Sequence, residues 1–566
     1  MNRTSLRDLG WLLVPAAAGI VLRCFNLLSQ VLGGDEMHAV RQAVQMPLGR
    51  ILVTYKPSDN CIPLTALYRA AMDLGLTVSE IHLRLPILLA GFAALIAIPW
   101  WALGRLGSVP RLAGSRRAAA QVLGWLLALS PLLVHYGRLV RSYMPVVLLG
   151  FLATAAFERW YRLRDRRSAA AYVICGALAV YFHLVAAPFV LSPFLFAAGA
   201  RLLRPRDAPS WRQLFYLGGA IVLSFLVFLG PALESLVQLI SLKHDPLQLT
   251  SQTWTAVTRL QAGTGVTILV VLFWLSAARG FLVLLRHQRA LAIYALVLVA
   301  GQVAGLLILS PTAMHQGPIM SRYLLVTLPW VLLAVAVGWT APWKRLPGSV
   351  SIALSRGLPV LLLAALFAAG PLSSREFRTS PFQLRPESLL FYWDRAPRPG
   401  PVLGVYRAFR PENPGRVIEY PWHTTWRYTS AVVDYQRAHG RGVIVAPAEK
   451  LLWDRRLGFR NMVAAQRESL LATDAAYLVV HLNWQSEMAV RDRRRPPKAG
   501  SALAHDLEVR RRDFARMSRQ AAGRVEVLTE HWGPPDLRAR GIMVWDLNRV
   551  RRQRAEPSAG SLRDSP

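Results

Sequence analysis

Ionisable residues gather in a polar stretch near the N-terminus, from Leu32 to Asp59, between two apolar segments. The stretch contains an adjacent acidic pair, Asp35 and Glu36, followed by Lys56 and Asp59. A carboxylate in this position could accept a proton from a hydroxyl group while that hydroxyl attacks a sugar. The structural alternative is that Asp35 is the N-cap of an interfacial helix and Glu36 lies in its first turn.

Basic residues from other segments could bind a negatively charged group of a substrate. The candidates are Lys56, Arg84, Arg138, Arg141 and Arg322. The topology described below puts all of them on the external side, where the positive-inside bias should make such residues scarce. Each could be an interfacial residue whose stem lies along apolar surface. Together they favour a cationic pocket for a phosphate, which arginine binds in a bidentate manner and can stabilise as a leaving group.

The composition is that of a membrane protein. The 566 residues are 53% hydrophobic and 17% charged, with a mean hydropathy of +0.31, which is too apolar for a typical soluble enzyme of this size. The net charge of +34 could suggest nucleic acid, but its distribution around apolar runs favours anionic lipid headgroups. The three cysteines are far apart and indicate neither a disulfide framework nor a metal cluster.

Motifs for other kinds of chemistry are missing from the sequence. The histidines outside the membrane segments show no metal-binding spacing, and no phosphate-binding glycine loop or Asp-x-Asp triplet occurs. These absences favour a lipid-borne donor over a nucleotide-borne one. The sequence leaves the metal requirement unknown, with a divalent cation open as a cofactor.

About eleven segments approach the roughly 20 apolar residues that cross a bilayer as a helix. Basic clusters follow the second, fourth, sixth, eighth and tenth of them, and such clusters in short loops stay on the cytoplasmic side. The sequence therefore predicts a cytoplasmic N-terminus in a plasma or inner membrane. The external segments would include the Asp35 stretch, His135 to Arg141, Lys243 to Asp245 and His315 to Arg322.

From about Ser373 the pattern changes to short β-branched runs separated by helical stretches, which predicts a compact α/β domain. The predicted strands are Arg416 to Tyr420, Gly442 to Ala446, Ala476 to His481 and Gly541 to Asp546, and the predicted helices are Ser430 to His439 and Ala504 to Ala522. We predict a membrane domain over residues 1–372, an external α/β domain over 373–548 and a disordered basic tail over 549–566.

Five segments in the first 340 residues or so are similar, in the same order, to the GT-C fold membrane glycosyltransferases. The closest branch is that of the protein O-mannosyltransferases and the lipid A aminoarabinose transferases. The segments are GGDEMHAV, YKPSDNCIPL, RLPILLAG, LSPLLVHYGRLVRSYMP and SRYLLVTLP. The α/β domain has no counterpart in this resemblance.

The resemblance implies an enzyme that takes a sugar from a polyprenyl-phosphate carrier on the external face and passes it, with inversion, to a hydroxyl acceptor. It implies Asp35 as the general base and Glu36 as its companion in contact with the acceptor or a metal. Arg84 and Arg322 match the phosphate-binding residues, with Lys56, Arg138 and Arg141 as further matches. Ser58 to Ile62 separate Lys56 from the proline-leucine segment that directly follows the lysine in the aminoarabinose branch. We also expect substrate contacts from His38, Asp59, Tyr143, His315 and Tyr323.

Three hypotheses of different classes remain at this point. The first is a polyprenyl-phosphate-sugar glycosyltransferase acting on a cell-envelope glycan, lipid or protein. The second is a transporter or flippase of an anionic lipid-linked substrate, and the third is a non-catalytic assembly or receptor protein. A transporter should carry ionisable residues near the middle of its spans, whereas here the polar groups gather at one face.

Overall fold

The computed structural model describes most of the chain, with gaps. The described residues are 6–33, 35–56, 61–107, 115–244, 249–342, 347–374, 377, 403–406, 408–422, 439–447, 456–483, 502–539 and 541–555. Asp59 and most of the predicted helix Ser430 to His439 lie outside them.

Eighteen helices, α1 to α18, make up the part of the membrane domain that the structure describes. In chain order they are Leu6–Cys24, Met37–Gln45, Leu48–Leu52, Ile62–Asp73, Glu80–Gly107, Arg116–Leu129, Pro131–Tyr136, Tyr143–Leu163, Arg166–Phe182, Ala187–Leu203, Trp211–Leu229, Leu233–Leu242, Ser251–Ala262, Thr267–His287, Arg289–Leu309, Gly317–Tyr323, Leu328–Thr340 and Gly348–Ala368.

The predicted number of about eleven spans is not confirmed. By length and composition, seven of the described helical segments could cross a membrane, or eight if the bent pair Gly317–Tyr323 and Leu325–Thr340 is one span. Two helices at predicted spans are short, since α6 has 14 residues and α9 has 17, and a full crossing needs about 20. The chain is nevertheless a multi-pass membrane protein.

Close backbone contact joins some of the long helices. A Cβ atom at Gly280 of α14 would overlap the Ala334 carbonyl oxygen of α17, and one at Gly338 would overlap the Ser276 carbonyl oxygen. Glycines at such crossings let two helix backbones pack directly against each other, which favours association in lipid. Substituting either glycine would therefore push α14 and α17 apart.

A five-stranded mixed sheet forms the centre of the C-terminal domain. After the short helix α19 (Leu403–Tyr406) come β1 (Arg416–Trp422), β2 (Val443–Pro447), α20 (Arg467–Leu471), β3 (Ala475–His481), α21 (Ala502–Trp532), β4 (Leu537–Ala539), β5 (Ile542–Asp546) and α22 (Leu547–Ala555). The strand order is β2-β1-β3-β5-β4. β1 is parallel to β2 and β3, and β5 is antiparallel to β3 and β4.

The sequence predicted this domain well. All four predicted strands exist, and the predicted helix Ala504 to Ala522 lies within α21. β4 was not predicted, because three residues give too little alternation to recognise. The prediction that the disordered tail begins at residue 549 is wrong: α22 continues to Ala555, with Val550 buried.

The two faces of the sheet are buried differently. Ile418 and Leu478 face one core, which includes Leu528 of α21. On the other face, the carboxylate of the fully buried Glu419 lies 2.6 Å from Nε2 of His481 and accepts hydrogen bonds from the Tyr406 hydroxyl. Paired hydrogen bonds of this kind are what make a buried carboxylate tolerable.

The segment from Arg456 to Asn461 joins the C-terminal domain to the membrane domain. Val78 donates its N–H to the Arg456 carbonyl at 2.8 Å, and Gly458 donates to the Val78 carbonyl at 3.0 Å. The Glu80 carboxylate accepts the backbone N–H groups of Arg460 and Asn461 at 2.8 to 3.1 Å. Asn461 also donates from Nδ2 to the Leu28 carbonyl at 2.7 Å. The C-terminal domain therefore lies at the same end of the helices as the Asp35 stretch.

Glu80→Ala should loosen this attachment, because it removes the acceptor of the buried Asn461 N–H and of the partly buried Arg460 N–H. Loss of the acceptor of the buried Asn461 N–H alone is expected to cost about 1–3 kcal/mol. We expect faster proteolysis between the domains and a lower unfolding temperature for the purified protein in detergent. Glu234→Ala, which removes an exposed acid from α12, is the control. Equal proteolysis of the two variants would contradict this role for Glu80.

Candidate active site

Asp35 lies in a turn between α1 and α2, beside two arginines from distant parts of the chain. Its Oδ2 atom is 3.5 Å from Nη1 of Arg322 and 3.8 Å from Nη2 of Arg141. The Asp35 side chain is 49% exposed, whereas those of Arg322 and Arg141 are 22% and 13% exposed. Asp35, Arg141 and Arg322 are called the Asp35 triad below.

The helix after this turn begins at Met37 and has Glu36 at its N-cap position, with no side-chain hydrogen bond to the cap. The expectation that Asp35 caps this helix is therefore wrong. The physical reason is that the helix starts one residue later, so the Asp35 side chain is directed to the arginines.

Glu36 has a different role from its neighbour. It is 1% exposed, and its carboxylate accepts the N–H of Gly33 at 2.6 Å and the N–H of Val140 at 3.0 Å. Gly33 precedes the Asp35 turn, and Val140 directly precedes Arg141. One carboxylate thus fixes the backbone on both sides of the contact between Asp35 and Arg141.

Two predicted phosphate ligands, Arg84 and Arg138, lie buried beneath the turn. Arg84 donates to the carbonyls of Leu27, Gln30 and Val31 at 3.1 to 3.2 Å, and its Nη2 is 3.6 Å from Glu36. Arg138 donates to the Phe25 carbonyl at 2.7 Å and to Gln30 Oε1 at 2.8 Å. Both arginines thus hold the backbone of the segment that follows α1. Their predicted contact with substrate stays a prediction.

Aromatic rings hold Arg322 in place. Its guanidinium lies 5.8 Å from the ring centre of Tyr143 and 5.3 Å from that of Tyr323, within range of cation–π attraction. Arg322 belongs to α16, which meets the following helix at a 50° bend. Gly317 begins α16 and has no space for a side chain beside Ala256 of α13. This close approach helps to set the position of Arg322.

A small cavity that is partly open to solvent adjoins the Asp35 triad through Arg322. Its lining comprises Tyr143, Val146, His183, Val185, Ala186, Arg322, Tyr323, Leu325 and Val326. His183 was not predicted, because it is a single polar residue between two apolar helices. It follows α9, its Nδ1 accepts the Val185 N–H at 3.3 Å, and its ring is 5.3 Å from that of Tyr143.

The remaining predicted residues differ in their contacts. His38 is close, with Nε2 at 3.9 Å from Asp35 Oδ1. Lys56 follows Tyr55, whose N–H donates to Ser235 Oγ of α12 at 2.9 Å. His315 is exposed, and its carbonyl accepts a hydrogen bond from the Thr253 hydroxyl of α13 at 2.6 Å. The roles of Lys56 and His315 stay predictions. Among the described residues, no three His, Cys, Asp or Glu side chains are placed to hold a metal ion.

No protein-family model matches the sequence, and comparison with curated protein sequences finds no match. Among solved structures, the chain is similar to the apo oligosaccharyltransferase of Archaeoglobus fulgidus. Their identity is 13% and the TM-score 0.44, over 85% of this chain and 70% of that one.

The chain is also similar to AglB of Archaeoglobus fulgidus in complex with an inhibitory peptide and a dolichol-phosphate, with 14% identity and a TM-score of 0.42 over 86% and 70% of the two chains. A third similar structure is ArnT from Cupriavidus metallidurans bound to undecaprenyl phosphate, with 12% identity and a TM-score of 0.43 over 85% and 95%. At these identities and scores the three structures carry no argument about the function of this chain.

His38 should stay uncharged well below neutral pH. Burial and the nearby charge of Arg141 lower its pKa from the usual 6.5 to about 4. An uncharged imidazole reacts with diethyl pyrocarbonate, so labelling of His38 should persist down to about pH 5, where an ordinary histidine is mostly protonated. Mass spectrometry of the labelled peptides measures this. Arg141→Gln removes one of the causes and should raise the pH at which labelling is lost. Loss of His38 labelling near pH 6.5 in the native protein would contradict the prediction.

Proposed function

We propose that the protein is an integral-membrane glycosyltransferase that transfers a sugar from a polyprenyl-phosphate donor to a hydroxyl acceptor on the external face. The Asp35 triad carries this proposal. It places one carboxylate and two guanidinium groups from separate elements at one end of the helices, beside a cavity. A carboxylate can take a proton, and a guanidinium pair can stabilise a departing phosphate.

The reaction needs both kinds of group within a few ångströms of each other. The acceptor oxygen attacks the anomeric carbon, and Asp35 takes the hydroxyl proton. The bond between that carbon and the phosphate oxygen breaks, and its electrons leave with the polyprenyl phosphate. Arg141 and Arg322 stabilise the charge that develops on the phosphate. A single displacement from the opposite side inverts the anomeric configuration.

The other predicted residues take supporting roles in this proposal. Glu36, Arg84 and Arg138 position the Asp35 turn and the Arg141 segment, so Glu36 acts on the backbone and not on the acceptor or a metal. Tyr143, Tyr323 and His183 form the wall of the cavity next to Arg322. Aromatic walls suit the apolar faces of a sugar or the first unit of a prenyl chain.

The external location rests on the charges at the opposite end of the helices. There the Glu158 carboxylate accepts hydrogen bonds from Arg105 at 2.8 Å and from Arg162 at 3.2 Å. Arg164 donates to the Asp207 carbonyl at 3.1 Å, and Gln288 donates to the Arg105 carbonyl at 3.4 Å. These contacts join several of the basic turns into one face. The positive-inside rule assigns that face to the cytoplasm, so the Asp35 triad and the C-terminal domain are external.

Asp35→Asn should reduce sugar transfer at least about 100-fold, the lower part of the range for loss of general base catalysis. The measurement is transfer from a labelled polyprenyl-phosphate sugar in membranes that contain the variant. Asp73→Asn is a matched control, because Asp73 also bridges two arginines, Arg69 and Arg456, at 2.8 and 3.6 Å. Asp73→Asn should keep most of the activity.

Full transfer by Asp35→Asn would exclude Asp35 as the base. Failure of the native protein to transfer sugar from any polyprenyl-phosphate donor would overturn the enzymatic proposal. Movement of the intact labelled lipid across the membrane without transfer would instead support the transporter alternative.

Arg322→Lys should bind the donor less tightly than the native protein and transfer its sugar more slowly, because lysine retains the charge but has no planar pair of donors. Arg322→Gln should lose more. We expect a fall in kcat/KM of about tenfold for the lysine variant, consistent with the loss of one charge-assisted hydrogen bond. Initial rates at varied donor concentration measure this. Equal rates for the lysine variant and the native protein would show that bidentate contact is not used.

A further inference from the structure

The two arginines of the triad point at the same carboxylate oxygen. Oδ2 of Asp35 is the near atom for both Arg322 Nη1 at 3.5 Å and Arg141 Nη2 at 3.8 Å. These distances are longer than the roughly 2.7–2.9 Å of a good charge-assisted hydrogen bond. Asp35 thus lies between the arginines without forming a bidentate pair with either.

The arginines keep unused capacity for an anion. Nε of Arg141 and Nε of Arg322 are buried and have no hydrogen-bond partner among the described residues. One negative charge faces two positive ones, and His38 is uncharged at neutral pH. Lys243 adds positive charge in the vicinity, since its charge also lowers the pKa of His38. The site therefore holds an excess of positive charge and unsatisfied donors.

A phosphate group would satisfy these donors better than the carboxylate does. The phosphate of a polyprenyl-phosphate sugar is a diester with two free oxygens, which can face two guanidinium groups at once. The carboxylate offers one oxygen to both. If a phosphate lay between the two arginines while Oδ2 of Asp35 kept its present position, the two anions would compete for the same donors.

We propose that Asp35 occupies the donor phosphate site in the free protein and is displaced from Arg141 and Arg322 when the donor binds. This inference rests on the proposed function. Displacement removes the two positive charges that hold the carboxylate, so the base becomes available for the acceptor hydroxyl only when the donor is in place. His38, 3.9 Å from the other carboxylate oxygen, remains next to the freed group. Donor binding therefore precedes productive acceptor binding.

The geometry makes this exchange small. Asp35 is 49% exposed, so its side chain can rotate towards solvent without opening the core. Glu36 holds the backbone on either side of the contact, so the turn itself stays in place while the side chain moves. Arg322 remains against Tyr143 and Tyr323 throughout. The arginines are thus a fixed site, and the carboxylate is its replaceable occupant.

The test measures binding of farnesyl phosphate, a soluble short-chain polyprenyl phosphate, to the purified protein in detergent by calorimetry. Asp35→Asn removes the competitor and should tighten binding about tenfold. Asp73→Asn, which removes an acid bridging two other arginines at the same end of the helices, should leave the affinity unchanged.

A double-mutant cycle separates displacement from simple repulsion between Asp35 and the ligand. In an Arg322→Gln background, the carboxylate and the phosphate no longer compete for Arg322, so the gain from Asp35→Asn should fall to about threefold or less. An undiminished gain in that background would mean repulsion through space and would overturn the proposal. Unchanged or weaker binding by Asp35→Asn in the native background would overturn it as well.

These outcomes differ from a failure of the proposed function. If the native protein and Asp35→Asn both bind no farnesyl phosphate while remaining folded, the phosphate site itself is absent and both proposals fail. If the native protein binds it and the cycle shows no coupling, only the displacement fails.

Discussion

The candidate site depends on one buried carboxylate, that of Glu36. Its two short hydrogen bonds, to the N–H groups of Gly33 and Val140, connect segments more than a hundred positions apart in the chain. Asp35 is two residues after Gly33, and Arg141 directly follows Val140. A carboxylate that is 1% exposed would be strongly unfavourable without such partners. The same contacts that make its burial tolerable therefore also set the distance between the proposed base and one proposed phosphate ligand.

Burial of positive charge completes this arrangement. Arg84 and Arg138 lie under the turn and donate to carbonyls of the segment that follows α1, those of Leu27 and Phe25. Their charges face Glu36 at the level of the turn, and Arg84 is 3.6 Å from it. Breaking a buried pair by removing one partner is typically more damaging than never having formed it. Loss of activity on substituting Arg84 would therefore not by itself indicate contact with substrate, whereas Arg141 and Arg322 touch the exposed Asp35.

The C-terminal domain contributes to the same region through the backbone. Glu80, at the start of α5, accepts N–H groups of Arg460 and Asn461, and Asn461 in turn donates to the Leu28 carbonyl just before the Asp35 stretch. Arg84 lies one helical turn after Glu80 on the same helix. The start of α5 thus contacts the C-terminal domain through Glu80 and the segment before Asp35 through Arg84. A domain attached here lies beside the segment that leads to the candidate site.

The sequence alone determined that the chain crosses a membrane repeatedly, because apolar runs and basic loops are local properties. It also determined the strands of the C-terminal domain and the candidate residues Asp35, Arg141 and Arg322. It did not distinguish the roles of these residues from those of Glu36, Arg84 and Arg138, since all six are charged residues beside apolar segments. It missed His183, and its count of about eleven spans is not confirmed. Only the tertiary structure decided which charges are buried and which are open to a ligand, because burial and pairing depend on segments that are distant in the chain and meet only when the helices pack.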